Sequence, residues 1–208
     1  MKLLNTTIAL LALLAPAGAA TAGDWGRAPV SIGQAYSDTN CSWCHGPSLQ
    51  GFTTAPRLAG QRSAYLETQL LNFKNHSRDN PLSKQYMWGA TPPVSPEIAR
   101  ELGIYIASLA AEPASDGNRD LAESGKGLYW EGNAAANIVS CAVCHGPEAQ
   151  GSGAIPKLAG LSYPYLKRRI AEWAKGYHAT ATAPMPGVAK KLSASDIESI
   201  ASYLSFVR

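Results

Sequence analysis

At 208 residues, the chain is long enough for one ordinary domain or two small ones. Its 46% hydrophobic and 16% charged residues place it among globular proteins and exclude a disordered or low-complexity chain. A formal charge of +3 is too small for the basic stripe of a nucleic-acid binder.

The chain begins with Lys2, a mostly apolar stretch over residues 3–15 interrupted by Asn5, Thr6 and Thr7, and then Ala20-Thr21-Ala22. A short positive start, an apolar run and a small-x-small site make residues 1–22 a secretory signal peptide. Cleavage is expected after Ala22, with Ala19 second, and the rival reading is an uncleaved anchor. Removing Lys2 takes the formal charge from +3 to +2. No later apolar run reaches the roughly 18 residues of a spanning helix.

A short helix is expected near residues 31–39, just before Cys41-Ser-Trp-Cys44-His45-Gly46-Pro47. Residues 62–75 read as a second helix. Ser95 followed by Pro96 reads as an N-cap with proline in the first helical position. Behind it, Ala99, Leu102, Ile106 and Leu109 recur at helical spacing. Residues 112–118 (Glu-Pro-Ala-Ser-Asp-Gly-Asn) are polar and rich in breakers, as a linker is. A helix near residues 120–132 then leads to Cys141-Ala-Val-Cys144-His145-Gly146-Pro147. Pro164 lies near the start of a helix running to about Gly176. It carries Lys167, Arg168 and Arg169, the densest basic run, which reads as a solvated helix face or, less often, a docking patch. Ser193 and Asp196 resemble a capping box, followed by Ile197, Ile200, Ala201 and Leu204 on one face. No alternating strand pattern stands out.

The two halves repeat. Cys41, Cys44, His45, Gly46, Pro47, Gln50, Gly51, Pro56, Leu58, Ala59, Gly60, Tyr65 and Leu66 each recur 100 residues later. Met87, Ser95 and Tyr105 recur 98 residues later, as Met185, Ser193 and Tyr203. The chain therefore divides into a signal peptide (1–22), a first domain (23–112), a linker (113–119) and a second domain (120–208). Domains of roughly 90 residues bury modest cores and often need a metal or covalent staple.

Cys-x-x-Cys-His is the attachment signature of c-type haem. Two thiols one helical turn apart form thioethers to one macrocycle, and the next imidazole reaches its iron. The expected cofactors are two covalently bound haem c groups, at Cys41 and Cys44 and at Cys141 and Cys144, with His45 and His145 as proximal iron ligands. The rivals are a zinc site, a thioredoxin-type redox pair and plain disulfides. Zinc on the four Cys explains neither the adjacent His nor the repeat, and no βαβ context accompanies either pair. With Met1 lost, the chain has only Met87 and Met185, one per half, 42 and 40 residues after the proximal His. A thioether suits haem iron and raises its potential, so these are the expected distal ligands. His76 and His178 are the alternative distal ligands, or else polar loop residues.

This pattern resembles a class I cytochrome c, and two such units after a signal peptide resemble the dihaem cytochrome c4 family. The resemblance covers essentially the whole mature chain. It implies an all-α fold of two tandem domains, each a few helices around one haem. It also implies that the carbonyls of Pro56 and Pro156 accept a hydrogen bond from the proximal His. Gly33 with Tyr36, and Gly125 or Gly127 with Tyr129 or Trp130, should let the first helix of each domain cross the last near Tyr105 or Tyr203. Pro184-Met185-Pro186 matches the family's loop, whereas Tyr86-Met87-Trp88-Gly89 departs from it.

Closed His/Met ligation leaves electron transfer as the function. The expectation is a periplasmic carrier, not an enzyme, moving single electrons between a respiratory donor complex and a terminal oxidase or reductase. It binds no nucleic acid and meets a membrane, if at all, peripherally through a partner. The alternatives are a dihaem subunit bound to a periplasmic dehydrogenase and, further off, a dihaem enzyme such as a peroxidase.

Overall fold

The computed structural model describes residues 29–52, 54–177 and 184–208. The signal-peptide reading of residues 1–22 lies outside them. The described residues are helical, and their only strand-like pairings are isolated bridges between Asn133 and Ile138 and between Ser152 and Ile155.

The first domain contains α1 (Ile32–Tyr36), a wide π turn (Ser37–Cys41), α2 (Ser42–His45), α3 (Ser63–Lys74), a second π turn (Ser83–Met87), α4 (Trp88–Ala90) and α5 (Pro96–Ser108). The second contains α6 (Arg119–Glu131), a 3-10 turn (Ala134–Ala136), α7 (Ala142–His145), α8 (Tyr163–Ala174), α9 (Met185–Ala189) and α10 (Ala194–Phe206). The boundaries follow local chemistry. Ser95 Oγ accepts the Ile98 N–H at 3.2 Å, with Pro96 opening the helix. Ser193 and Asp196 form a reciprocal capping box, with Asp in the place usually held by Glu.

In each domain the first helix crosses the last, α1 on α5 and α6 on α10. The crossing is backbone against backbone. A Cβ on Gly33 would collide with the Glu101 carbonyl, and one on Gly125 with the Ser199 carbonyl. Gly125 is the crossing glycine, because Gly127 faces open space. Of the aromatics expected there, Tyr129 is fully buried and packs on Tyr203, whereas Trp130 is 45% exposed and no core residue.

Each domain has its own core. Leu49, Ala59, Leu66, Leu102 and Ile106 form the first. Tyr129, Ala149, Ala159, Leu161, Leu166, Ile200, Ala201 and Leu204 form the second. Leu109, expected on the α5 face, ends that helix and packs on the core only partly buried.

The linker is pinned to the second domain. Ser205 and Ser202 on α10, fully buried, accept the Gly117 and Asn118 N–H groups at 3.0 and 3.2 Å, and the Ser205 carbonyl accepts the Ser115 N–H. Just before the linker, Arg57 donates twice to the Glu112 carbonyl, at 3.1 and 2.7 Å, which fixes the end of the first domain.

Between the domains lies a polar seam. Arg78, 6% exposed, donates to Gln69 at 2.9 Å and reaches the Tyr165 hydroxyl at 3.5 Å. Asn80 donates to Glu172 at 3.3 Å, and Glu172 pairs with Arg169. The basic run is therefore not a solvated face. Arg169 is buried in the seam, Arg168 donates to the Thr54 carbonyl at 3.3 Å, and only Lys167 sits outside, paired with Glu198.

Candidate functional site

The two Cys-x-x-Cys-His segments form the same short helix, ending in the same way. Gly46 and Gly146 stop α2 and α7 at φ values of 83° and 80°. The N–H of Gly51 then bonds the His45 carbonyl at 2.8 Å, and that of Gly151 bonds the His145 carbonyl at 2.8 Å.

A second feature of this turn is absent from any motif. Leu49 and Ala149, both 1% exposed, adopt left-handed conformations at φ values of 54° and 52°. That conformation costs a non-glycine residue about 1–2 kcal/mol. Each turns its carbonyl to accept two N–H groups, those of Leu58 and Ala59 and of Leu158 and Ala159, at 2.7–3.1 Å. These bonds hold the following segment behind the histidine. The signal available in the sequence was the matched spacing from His to Gln50-Gly51 and to Gln150-Gly151.

The held segment presents a proline carbonyl to the imidazole. His45 Nδ1–H donates to the Pro56 carbonyl at 2.8 Å, and His145 Nδ1–H to the Pro156 carbonyl at 3.1 Å. Both rings are buried, at 7% exposure. Burial pushes both imidazoles below their ordinary pKa, partly offset by the bond to the proline carbonyl. A neutral imidazole with its Nδ1 proton engaged offers Nε2 as a metal ligand.

Cys44 and Cys144 are exposed, while Cys41 and Cys141 are half-buried at the edge of their cores. Burial pushes the Cys41 and Cys141 thiols up to about 11. A redox dithiol needs the opposite shift. Among the described residues, no three His, Cys, Asp or Glu side chains are arranged to hold a metal ion.

The arrangement suits haem c. Cys41, Leu58 and Leu70 are all only partly buried against the first core, and their repeat equivalents Cys141, Leu158 and Ile170 are likewise partly buried against the second. A core that keeps a half-open apolar edge, with a cysteine of each pair among its partly buried members, fits a large apolar group attached there. The buried Arg78 Nε has no hydrogen-bond partner among the described residues, which fits a group that also carries carboxylates.

Met87 ends the second π turn, and Met185 opens α9 between Pro184 and Pro186. Both are partly buried. His76 is exposed, left-handed at φ 63°, and stacked on Trp88 with ring centroids 4.0 Å apart. His178 lies outside the described residues.

The sequence model of the Cytochrome c family matches twice, at residues 30–110 and 122–207. The chain is 30% identical to a cytochrome c-552 of Acidithiobacillus ferridurans, over 86% of this chain and 81% of that one. It is also 30% identical to a thiosulfate dehydrogenase electron acceptor of Stutzerimonas stutzeri, over 100% of this chain and 97% of that one. The solved cytochrome c4 of Acidithiobacillus ferrooxidans superposes with a TM-score of 0.75 at 30% identity, covering 80% of this chain and 98% of that one.

Proposed function

The chain belongs to the cytochrome c family, as a two-domain electron-transfer protein of the cytochrome c4 kind with two covalently bound haem c groups, and we propose that it is exported to the periplasm and passes single electrons from a respiratory donor complex to a terminal oxidase or other acceptor. In this reading residues 1–22 are the export signal, 23–112 and 120–208 the two haem domains, and 113–119 the linker. No helix among the described residues is long and apolar enough to cross a membrane.

The observation that carries the proposal is the repeated His–Pro pair behind each cysteine pair. When bound, haem c supplies one-electron redox chemistry and nothing further is asked of it. The protein's residues do the rest. Cys41 and Cys44, and Cys141 and Cys144, hold the groups covalently. His45 and His145, oriented by the carbonyls of Pro56 and Pro156, would offer Nε2 to the iron. Met87 and Met185 would complete the iron's ligand set, which would exclude small substrates from the metal and raise the potential.

One test is reconstitution. Oxidase-containing membranes stripped of soluble cytochrome should regain oxygen uptake when the purified protein is added. Absence of any recovery, with the haems shown to be reducible, would contradict the carrier role.

The likeness to a thiosulfate dehydrogenase electron acceptor favours a second reading, in which the donor is a periplasmic dehydrogenase that holds the protein as a bound subunit. Co-purification with such an enzyme supports it, and isolation as a lone monomer opposes it.

A further inference from the structure

The two methionine segments are built differently. Met185 is flanked by Pro184 and Pro186, whose rings restrict the backbone on both sides. Met87 has no proline neighbour, since Tyr86 and Trp88 flank it. It sits at the end of a π turn, an uncommon geometry that other groups must hold in place.

Those groups lead into the second domain. The π turn opens at Ser83, whose hydroxyl donates to Asn80 Oδ1. Asn80 Nδ2 donates in turn to Glu172 Oε1 on α8, at 3.3 Å. Ser83, Asn80 and Glu172 are 4%, 3% and 7% exposed, so water does not substitute for these bonds. At its far end the segment is fixed within the first domain. Trp88 Nε1–H donates to the Arg78 carbonyl at 3.0 Å, His76 stacks on the Trp88 ring, and Thr91 bonds the Met87 carbonyl through both its N–H and its hydroxyl.

We propose that Asn80 is a positioning residue through which Glu172 of the second domain holds Met87 of the first. The second domain thereby helps to set the iron ligation and potential of the first haem, and the Asn80–Glu172 bond does in domain one what two prolines do in domain two. This rests on the reading of Met87 as a distal ligand.

The test uses the holoprotein, the weak far-red Met–iron absorption of the oxidised form, and a redox titration resolving both haems. Asn80→Asp keeps an acceptor for Ser83 but sets a carboxylate against Glu172. It should lower one potential, leave the other nearly unmoved, and cost up to half of the far-red intensity. Adding Glu172→Gln returns the net charge to the parent value and lets the glutamine amide donate to the new carboxylate. Both the band and the potential should recover. If Asn80→Asp changes neither, or if the double variant stays as displaced as the single one, the proposal is overturned. Ser83→Ala cuts the same route inside the first domain and should move the same haem, and no shift there overturns it as well. Met87→Ala run in parallel separates the two ideas. If it leaves the far-red band whole, the ligand reading fails. If it halves the band while the Asn80 and Ser83 variants do nothing, only the positioning role fails.

Discussion

Gln61 closes a two-bond ring on the backbone of Lys157 across the domain seam. Its amide nitrogen donates to the Lys157 carbonyl at 2.9 Å, and its amide oxygen accepts the Lys157 N–H at 2.7 Å. Gln61 is 5% exposed, and its repeat equivalent is Leu161, so the clamp runs in one direction only. Gln61→Leu should therefore loosen the pairing of the domains. Leaving buried backbone groups unpaired costs about 1–3 kcal/mol. Denaturant unfolding followed separately at each haem should show the two transitions drawing apart, and coincident, unshifted transitions would oppose the clamp.

The helix crossings make a sharper prediction. Gly33→Ala and Gly125→Ala each drive a methyl into a backbone carbonyl of the facing helix, which cannot rotate away. Overpacking of this kind costs about 1–3 kcal/mol or more. Gly127→Ala meets nothing and should instead stabilise α6 by about 0.5–1 kcal/mol. Thermal unfolding of the three variants checks the sign of each.

At His45 it is the carbonyl of residue 56 that matters, not the proline ring. Pro56→Ala keeps that carbonyl and loses only loop stiffness, a change of about 0.4–1 kcal/mol. The first haem's potential should stay close to that of the parent. Gly51→Ala is different, because its Cβ would press on the Ala55 carbonyl and Pro56 at 2.7–2.8 Å, at a φ of +79°. It should displace the proline carbonyl, and both the stability of the first domain and its haem potential should fall. Equal potentials in the two variants would contradict the argument.

Much of this architecture is legible in the sequence, because it is written in local chemistry. Ser95, Pro96, Ser193 and Asp196 cap the helices they were expected to cap, and the expected helix at residues 62–75 forms over Ser63–Lys74. The same holds for the haem motifs, where two thiols and an imidazole at fixed spacing leave little choice. What escaped depends on the partner domain or on backbone strain. Lys167, Arg168 and Arg169 look alike on a helix, and only the docking of the first domain against α8 decides that Arg169 is buried. The bond from Asn80 to Glu172 joins residues 92 apart that share no motif. Leu49 and Ala149 are left-handed without being glycine, a strain repaid by the two bonds each carbonyl accepts. Gly125 and Gly127 both looked suited to the crossing, and the facing Ser199 carbonyl distinguishes them.

The most direct test of the central claim is a redox titration that resolves the haems one by one, in the parent protein and in Met87→His and Met185→His. Two separate one-electron sites with His/Met ligation predict two one-electron steps in the parent. A histidine ligand lowers the potential relative to methionine. Met87→His should thus lower one step and Met185→His the other, each leaving its neighbour nearly unmoved. If either replacement leaves both potentials unchanged, that methionine is not a ligand and the two-site account is contradicted.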